Sequence, residues 1–184
     1  MKTINDLSSE IRAKLAEIRL LIMDVDGVLT DGLINLDDNG IETKSFSTRD
    51  GLALFWMKRF GLKTGVISGR KSAATQIRCE DLHLDEIHLG TMYKTPVFEE
   101  ILARMGIPAS AVAYIGDDII DLCLLKRAGV SAAPADAHPE VLSQVDIVLD
   151  LPGGHGAVRH FLDLWLAATG QWDKAMEEIL HGNF

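Results

Sequence analysis

Short apolar runs that stop abruptly on polar residues are the feature that most constrains this chain. Arg19 to Val25, Leu62 to Ile67 and Ala111 to Ile115 are too short for buried helices and read as strands. Between them lie segments of helical spacing. Leu7, Ile11, Leu15 and Ile18 share one helix face, with Ser8 as its cap, and Arg49 to Phe60, Thr95 to Met105 and Ile119 to Ala128 are also helical. A further helix follows Ser68-Gly69-Arg70. Shorter strands are expected near Ile87, at Val130 to Ala133 and at Ile147 to Leu149, and helices over Gly156 to Thr169 and Trp172 to His181 close the chain. One segment breaks the rhythm: Leu33 to Phe46 reads as two short strands about the turn Asp37-Asp38-Asn39-Gly40, a hairpin. Apolar strands alternating with helices predict an α/β fold, a mostly parallel sheet covered on both faces. Ligands of such sheets sit beyond the carboxyl ends of the strands. Asp24, Asp26, Ser68, Lys94 and Asp117 all fall there.

Bulk properties narrow the function. A length of 184 residues predicts one domain, with residues 33–46 as a hairpin insertion and residues 152–184 as a tail with helices. The net charge of -9, without a basic run, argues against a nucleic-acid surface. It leaves room for small anionic substrates, because a local site can be positive on an acidic protein. Cys79 and Cys123 form no CxxC motif and read as buried thiols. No apolar run approaches the ~20 residues of a membrane helix. The opening MKTINDLSSEIRAKL lacks the apolar core of a secretion signal, so no membrane partner is expected and the cytoplasm is the expected compartment.

The polar residues at the strand ends carry the chemistry. In LLIMDVDGVLTDG, alternation along an extended chain puts Asp24 and Asp26 on one side, able to face one ligand. Taken alone, the pair reads equally well as loop acids capping the next turn. Asp117, Asp118 and Asp121 in GDDIID form a second acidic cluster, and helix capping accounts for one or two of them. Capping does not explain acids crowding the ends of two strands, whereas a cation between them does. Oxygen ligands with few carboxylates suit Mg2+, which retains waters and binds substrate phosphate. Lys94 alone reads as a solvated lysine, and Ser68 alone as a cap of the following helix. Together, a hydroxyl, the helix-start amides after Gly69 and an ammonium are what a phosphoryl group needs. A carboxylate can then attack phosphorus, while a second carboxylate moves the proton.

DVDGV, ISG, an isolated Lys and GDDIID, in that order, resemble the four motifs of the haloacid dehalogenase superfamily of phosphatases, from Leu21 to about Leu149. The resemblance implies a Rossmann-like fold, Asp24 as nucleophile and Asp26 as general acid/base. It also implies Ser68, Gly69 and Lys94 as phosphate binders. Mg2+ would be held by Asp24, Asp117 and the backbone carbonyl of Asp26, with Asp118 and Asp121 in support. A hairpin-sized insertion between Gly27 and Ser68 leaves no room for a cap domain.

FSTRDG, SGRKS, PADAHPEV and PGGHGAVRHFLDLWLAATGQWDKA extend the resemblance to a capless branch acting on sugar-acid phosphates. This implies a substrate of eight carbons, in lipopolysaccharide precursor synthesis, and a homotetramer in which hairpins pair around a central barrel. Arg70, and after it Arg49, would bind the sugar carboxylate, since arginine pairs with carboxylate bidentately. Arg78 reads as a helix-surface residue. Gly153 to Gly156 reads either as a flexible lead into the last helices or, by the resemblance, as a tail closing over a site. The chain departs from the pattern at His160, where relatives carry Glu, and at Tyr93, where many carry an acid. Two alternatives stay open: a nine-carbon sugar-acid phosphate, and a noncatalytic assembly domain of the same fold. A signalling receiver domain orders its acids and lysine differently.

Overall fold

The computed structural model describes residues 1–182. Helix α1 (Ser9–Ala16) starts where expected, the Ser8 hydroxyl accepting from the Ile11 amide. It leads into β1 (Leu20–Met23), which is wholly buried. The chain then forms the hairpin β2 (Asn35–Leu36) and β3 (Glu42–Thr43), a separate two-stranded sheet. Next come α2 (Thr48–Met57), β4 (Lys63–Ser68), α3 (Ala73–Asp81), β5 (Glu86–Leu89) and α4 (Lys94–Met105). The second half runs β6 (Val112–Ile115), α5 (Leu122–Leu125), β7 (Val130–Ala133), α6 (Pro139–Leu142), β8 (Ile147–Val148), α7 (Ala157–Ala168) and α8 (Trp172–Leu180).

The main sheet is fully parallel, with strand order β5-β4-β1-β6-β7-β8. Alternation along β1 explains its continuous apolar run. Leu21 and Met23 join the core beneath α1, α2 and α7, while Leu20 and Ile22 join the opposite core beneath α4 and α5. The chain winds first to β4 and β5 on one side of β1, then to β6, β7 and β8 on the other. That reversal opens a crevice at the carboxyl ends of β1, β4 and β6.

Two elements differ from the periodic reading. The helix expected over Ile119 to Ala128 is a 3-10 turn, Ile119–Asp121, followed by the single-turn α5. The buried Asp121 carboxylate bends back to the amides of Asp117 and Asp118 and tightens that first turn. Helix α6 was not expected. Pro139 at its first position and the His138 ring nitrogen, accepting from the Glu140 amide, are its start signals. Cys79 is buried as expected, but Cys123 is only half-buried, its thiol donating to the Ile120 carbonyl.

The tail is packed rather than loose. Gly154 donates to the Val28 carbonyl at 2.9 Å, and a side chain on Gly153 would meet the Gly27 carbonyl oxygen at 1.9 Å. His160 is buried: one ring nitrogen accepts from the Asp150 amide and the other bonds the Lys2 carbonyl at 2.9 Å. It therefore ties the first residues to the end of the sheet. Arg78 pairs with Asp81 on its own helix at 2.7 Å and lies over Gly51.

The start of α7 has no capping side chain of its own. Asp50, buried in α2, supplies one from across the fold, accepting from the amides of Gly156 (3.2 Å) and Arg159 (2.7 Å). Burial raises its carboxyl pKa, while the two amides hold it down. Asp50→Ala should lower unfolding free energy by about 2 kcal/mol, the loss of a cap and two charge-assisted bonds. Urea denaturation should show Asp50→Asn losing roughly half as much, since one amide oxygen still accepts.

Candidate active site

A buried polar network forms the floor of the crevice. Lys94, the first residue of α4, is fully buried. Its ammonium lies 3.0 Å from the Asp24 carboxylate and 2.7 Å from that of Asp121. The Tyr114 hydroxyl, on β6, donates to Asp121 at 2.7 Å and lies 3.3 Å from the Lys94 ammonium. The other Asp121 oxygen accepts from the amides of Asp117 (3.1 Å) and Asp118 (3.3 Å). Asp121 is thus met by protein donors at both oxygens. Asp24 turns its remaining oxygen to the Val25 amide at 2.7 Å.

The electrostatics follow from crowding and burial. Burial first, then the nearby Asp121, pushes the Asp24 carboxyl up to about 6 although Lys94 opposes it. Burial, Asp121 and Asp24 push the Asp117 carboxyl up to about 8. Burial pulls the Lys94 ammonium down, but Asp24 and Asp121 together carry it above its ordinary value. Tyr114 is raised well above the usual phenol range by burial and Asp121.

The donor set fits a divalent cation. Asp24, Asp117 and Asp121 each bring a carboxylate oxygen to within 4.8 Å of the others. One buried oxygen of Asp117, Oδ1, has no hydrogen-bond partner among the described residues. With Asp121 occupied by its four donors, Asp117 and Asp24 are the carboxylates left to face an ion. Gly27, at a φ of +82°, admits the Asp117 carboxylate to where a Cβ would stand, 2.1 Å from its oxygen.

Above this floor lies a cavity of about 310 Å³ lined by Asp24, Asp26, Ser68, Gly69, Arg70 and Asp117, with Asp118 at its edge. Seven of the residues singled out from sequence therefore meet in one cavity, and Lys94 and Asp121 lie buried beneath it, outside its lining. Arg49 does not line it; it is exposed on the first turn of α2. Ser68 does not cap α3, because Ser72 does, accepting from the Thr75 amide. The Ser68 hydroxyl accepts from the Arg70 amide at 3.3 Å instead. Asp118 caps the 3-10 turn through the Ile119 amide. Tyr93 is exposed and supplies no cap to α4.

Sequence reasoning missed three residues. Tyr114 lies mid-strand in an apolar run, where its hydroxyl alone signals a need for a buried partner. Glu42 and Lys44, on the hairpin, pair with residues that line the cavity. The Lys44 ammonium pairs with Asp26 and lies 3.1 Å from Glu42, and Glu42 meets Arg70 at 2.8 Å. No local signal marks either residue, since charged hairpin residues are ordinarily solvated.

A doubly wound sheet with paired aspartates after its central strand, and a lysine and further acids at neighbouring strand ends, defines a haloacid dehalogenase-like hydrolase. Residues 83–162 match the family described by that term. Escherichia coli 3-deoxy-D-manno-octulosonate 8-phosphate phosphatase is 41% identical over 169 residues, covering 92% of this chain and 90% of its own. The crystal structure of the Yersinia pestis phosphatase of that name superposes with a TM-score of 0.89 at 36% identity, covering 91% of this chain and 90% of its own. The Moraxella catarrhalis phosphatase, solved with magnesium, phosphate and a KDO molecule, gives 0.90 at 35% identity, with 92% and 98% covered. The chain belongs to the 3-deoxy-D-manno-octulosonate 8-phosphate phosphatase family.

The raised carboxyls have a consequence for stability. A carboxyl whose folded pKa is raised stabilises the fold below its unfolded pKa and loses that contribution as pH climbs through the folded value. In EDTA, stability should therefore fall between about pH 4, the ordinary aspartate range, and pH 8, where Asp117 titrates. Urea denaturation across that range should show the decline, and added Mg2+ should flatten it by compensating the ionised carboxylates.

Proposed function

We propose that the chain is a Mg2+-dependent phosphomonoesterase that hydrolyses 3-deoxy-D-manno-octulosonate 8-phosphate to the free sugar acid and phosphate. The observation that carries this reading is the Asp117 oxygen without a partner, set beside an Asp24 carboxylate that Lys94 holds at the mouth of the central strand. Asp24 would attack phosphorus as the bond to the C8 oxygen breaks, giving an aspartyl-phosphate. Asp26 would give its proton to the departing oxygen, then take one from the water that cleaves the acyl phosphate. Ser68, the Gly69 backbone and Lys94 would hold the phosphoryl oxygens. Mg2+, held by Asp24, Asp117 and the Asp26 carbonyl, would neutralise charge between nucleophile and phosphate. Arg70, which lines the cavity with its side chain partly exposed, would bind the sugar carboxylate, ahead of Arg49.

Phosphate release should require Mg2+, stop in EDTA, and fall by at least about a thousandfold in Asp24→Asn, because the covalent route is lost. A preference for the nine-carbon acid phosphate would replace the substrate and leave the chemistry. No release from either phosphate by folded protein would favour the noncatalytic reading.

The assembly is also part of this reading. The hairpin exposes Leu33, Ile34, Leu36 and Ile41, and its two short strands have unpaired edges. Both features favour pairing with further copies. We infer a homotetramer joined through the hairpins. Light scattering on a sizing column should give four chain masses, and Leu36→Glu with Ile41→Glu should give smaller species. No helix of the described residues is long and apolar enough to cross a membrane. A cytoplasmic location is proposed with the substrate, an anion that does not cross bilayers unaided.

A further inference from the structure

Lys44 carries a charge in an unexpected place. Lysines are ordinarily solvated, yet this side chain is 1% exposed, its ammonium paired with Asp26 and 3.1 Å from Glu42. Glu42 in turn meets Arg70 at 2.8 Å. Arg70 lies 3.9 Å from the second Asp26 oxygen. The four charged residues come from three places: the loop after β1, the hairpin and the turn after β4. The hairpin has only two residues per strand and an exposed apolar surface, so a pin through Lys44 fixes its base against the cavity.

We propose that Lys44 is a positioning residue for Asp26, braced by Glu42, and that the hairpin is thereby part of the catalytic apparatus. This rests on the phosphatase reading above, in which Asp26 moves the proton. A carboxylate held by one ammonium cannot swing freely, and proton transfer needs its oxygen within hydrogen-bond reach of the departing group. Asp26 lies two residues past Asp24, whose N–H to the Ile115 carbonyl is the strand's last backbone bond, and after Lys44 its nearest charged partner among the described residues is Arg70. The hairpin's ammonium is what orients it. Substrate need not touch Lys44, which does not line the cavity.

The test uses leaving groups of different need. A sugar alkoxide must be protonated as it leaves, whereas p-nitrophenolate need not be at neutral pH. Lys44→Met, Lys44→Arg and the reference Asp26→Asn would be assayed with the sugar-acid phosphate in steady state and with p-nitrophenyl phosphate in the first turnover. In Lys44→Met, kcat for the sugar-acid phosphate should fall roughly a hundredfold, with KM changed less than about threefold, the scale of misplaced acid catalysis. First-turnover release of p-nitrophenolate should fall less than about fivefold, leaving a burst before a slow steady rate. Lys44→Arg should restore at least about a tenth of the lost kcat by keeping the charge. Equal losses on both substrates, or no loss, with normal melting and assembly, overturn the proposal. If Lys44→Met does not fold, Glu42→Gln, which keeps the Lys44–Asp26 pair and loosens its brace, should show the same selectivity in smaller degree; a uniform loss there overturns it equally. Uniform loss in Asp26→Asn itself would instead remove the acid/base reading, and the proposal with it.

Discussion

The buried pairing of Lys94 with Asp24 and Asp121 is the interaction on which the site depends. An ammonium and two carboxylates without water carry a large desolvation cost, and such a group persists only when every charge is met. Here Asp121 receives four donors, two from side chains and two from the backbone. Those bonds join the start of α4, the middle of β6 and the turn after β6 into one unit. They also leave Asp24 and Asp117 facing outward with an excess of negative charge. The two acids thus differ: Asp121 is met by donors at both oxygens, while Asp117 has one buried oxygen with no hydrogen-bond partner among the described residues.

Close backbone approach completes the arrangement. The absent side chain at Gly27 is the space the Asp117 carboxylate occupies, so the loop after β1 and the turn after β6 meet without a gap. The tail glycines press on the other side of that same loop, and Asp50 fixes the helix that follows them. The Asp24–Gly27 loop is therefore gripped from the sheet, the tail and the hairpin. Pre-organisation of this kind is what the proposed attack of an anionic carboxylate on an anionic phosphate would need.

Much of this was legible in the residues. Continuous apolar runs marked the strands, because a strand buried on both faces has no polar face to alternate. The acids, serine and lysine at their ends marked the crevice, since a parallel sheet gathers its carboxyl ends on one edge. Other features were not legible. The turn after Asp117 is a 3-10 turn closed by a capping box between Asp118 and Asp121, a side-chain arrangement that periodicity does not register. Lys44 and Glu42 looked like any hairpin charges, and Arg49 stood behind Arg70 as a second candidate for the sugar carboxylate.

Local pattern was enough for the α/β class, the polar strand ends and the roster of acids and lysine available there, because each is written in local period or residue type. How those groups are partnered was settled by long-range packing. It buried Lys94 and Asp121 beneath the cavity, left Asp117 with a free oxygen, set Arg49 outside and drew Lys44 in against Asp26. The reason is that a side chain's burial and charge partners arise from residues distant along the chain, and no local pattern encodes which of two similar charges the fold will enclose.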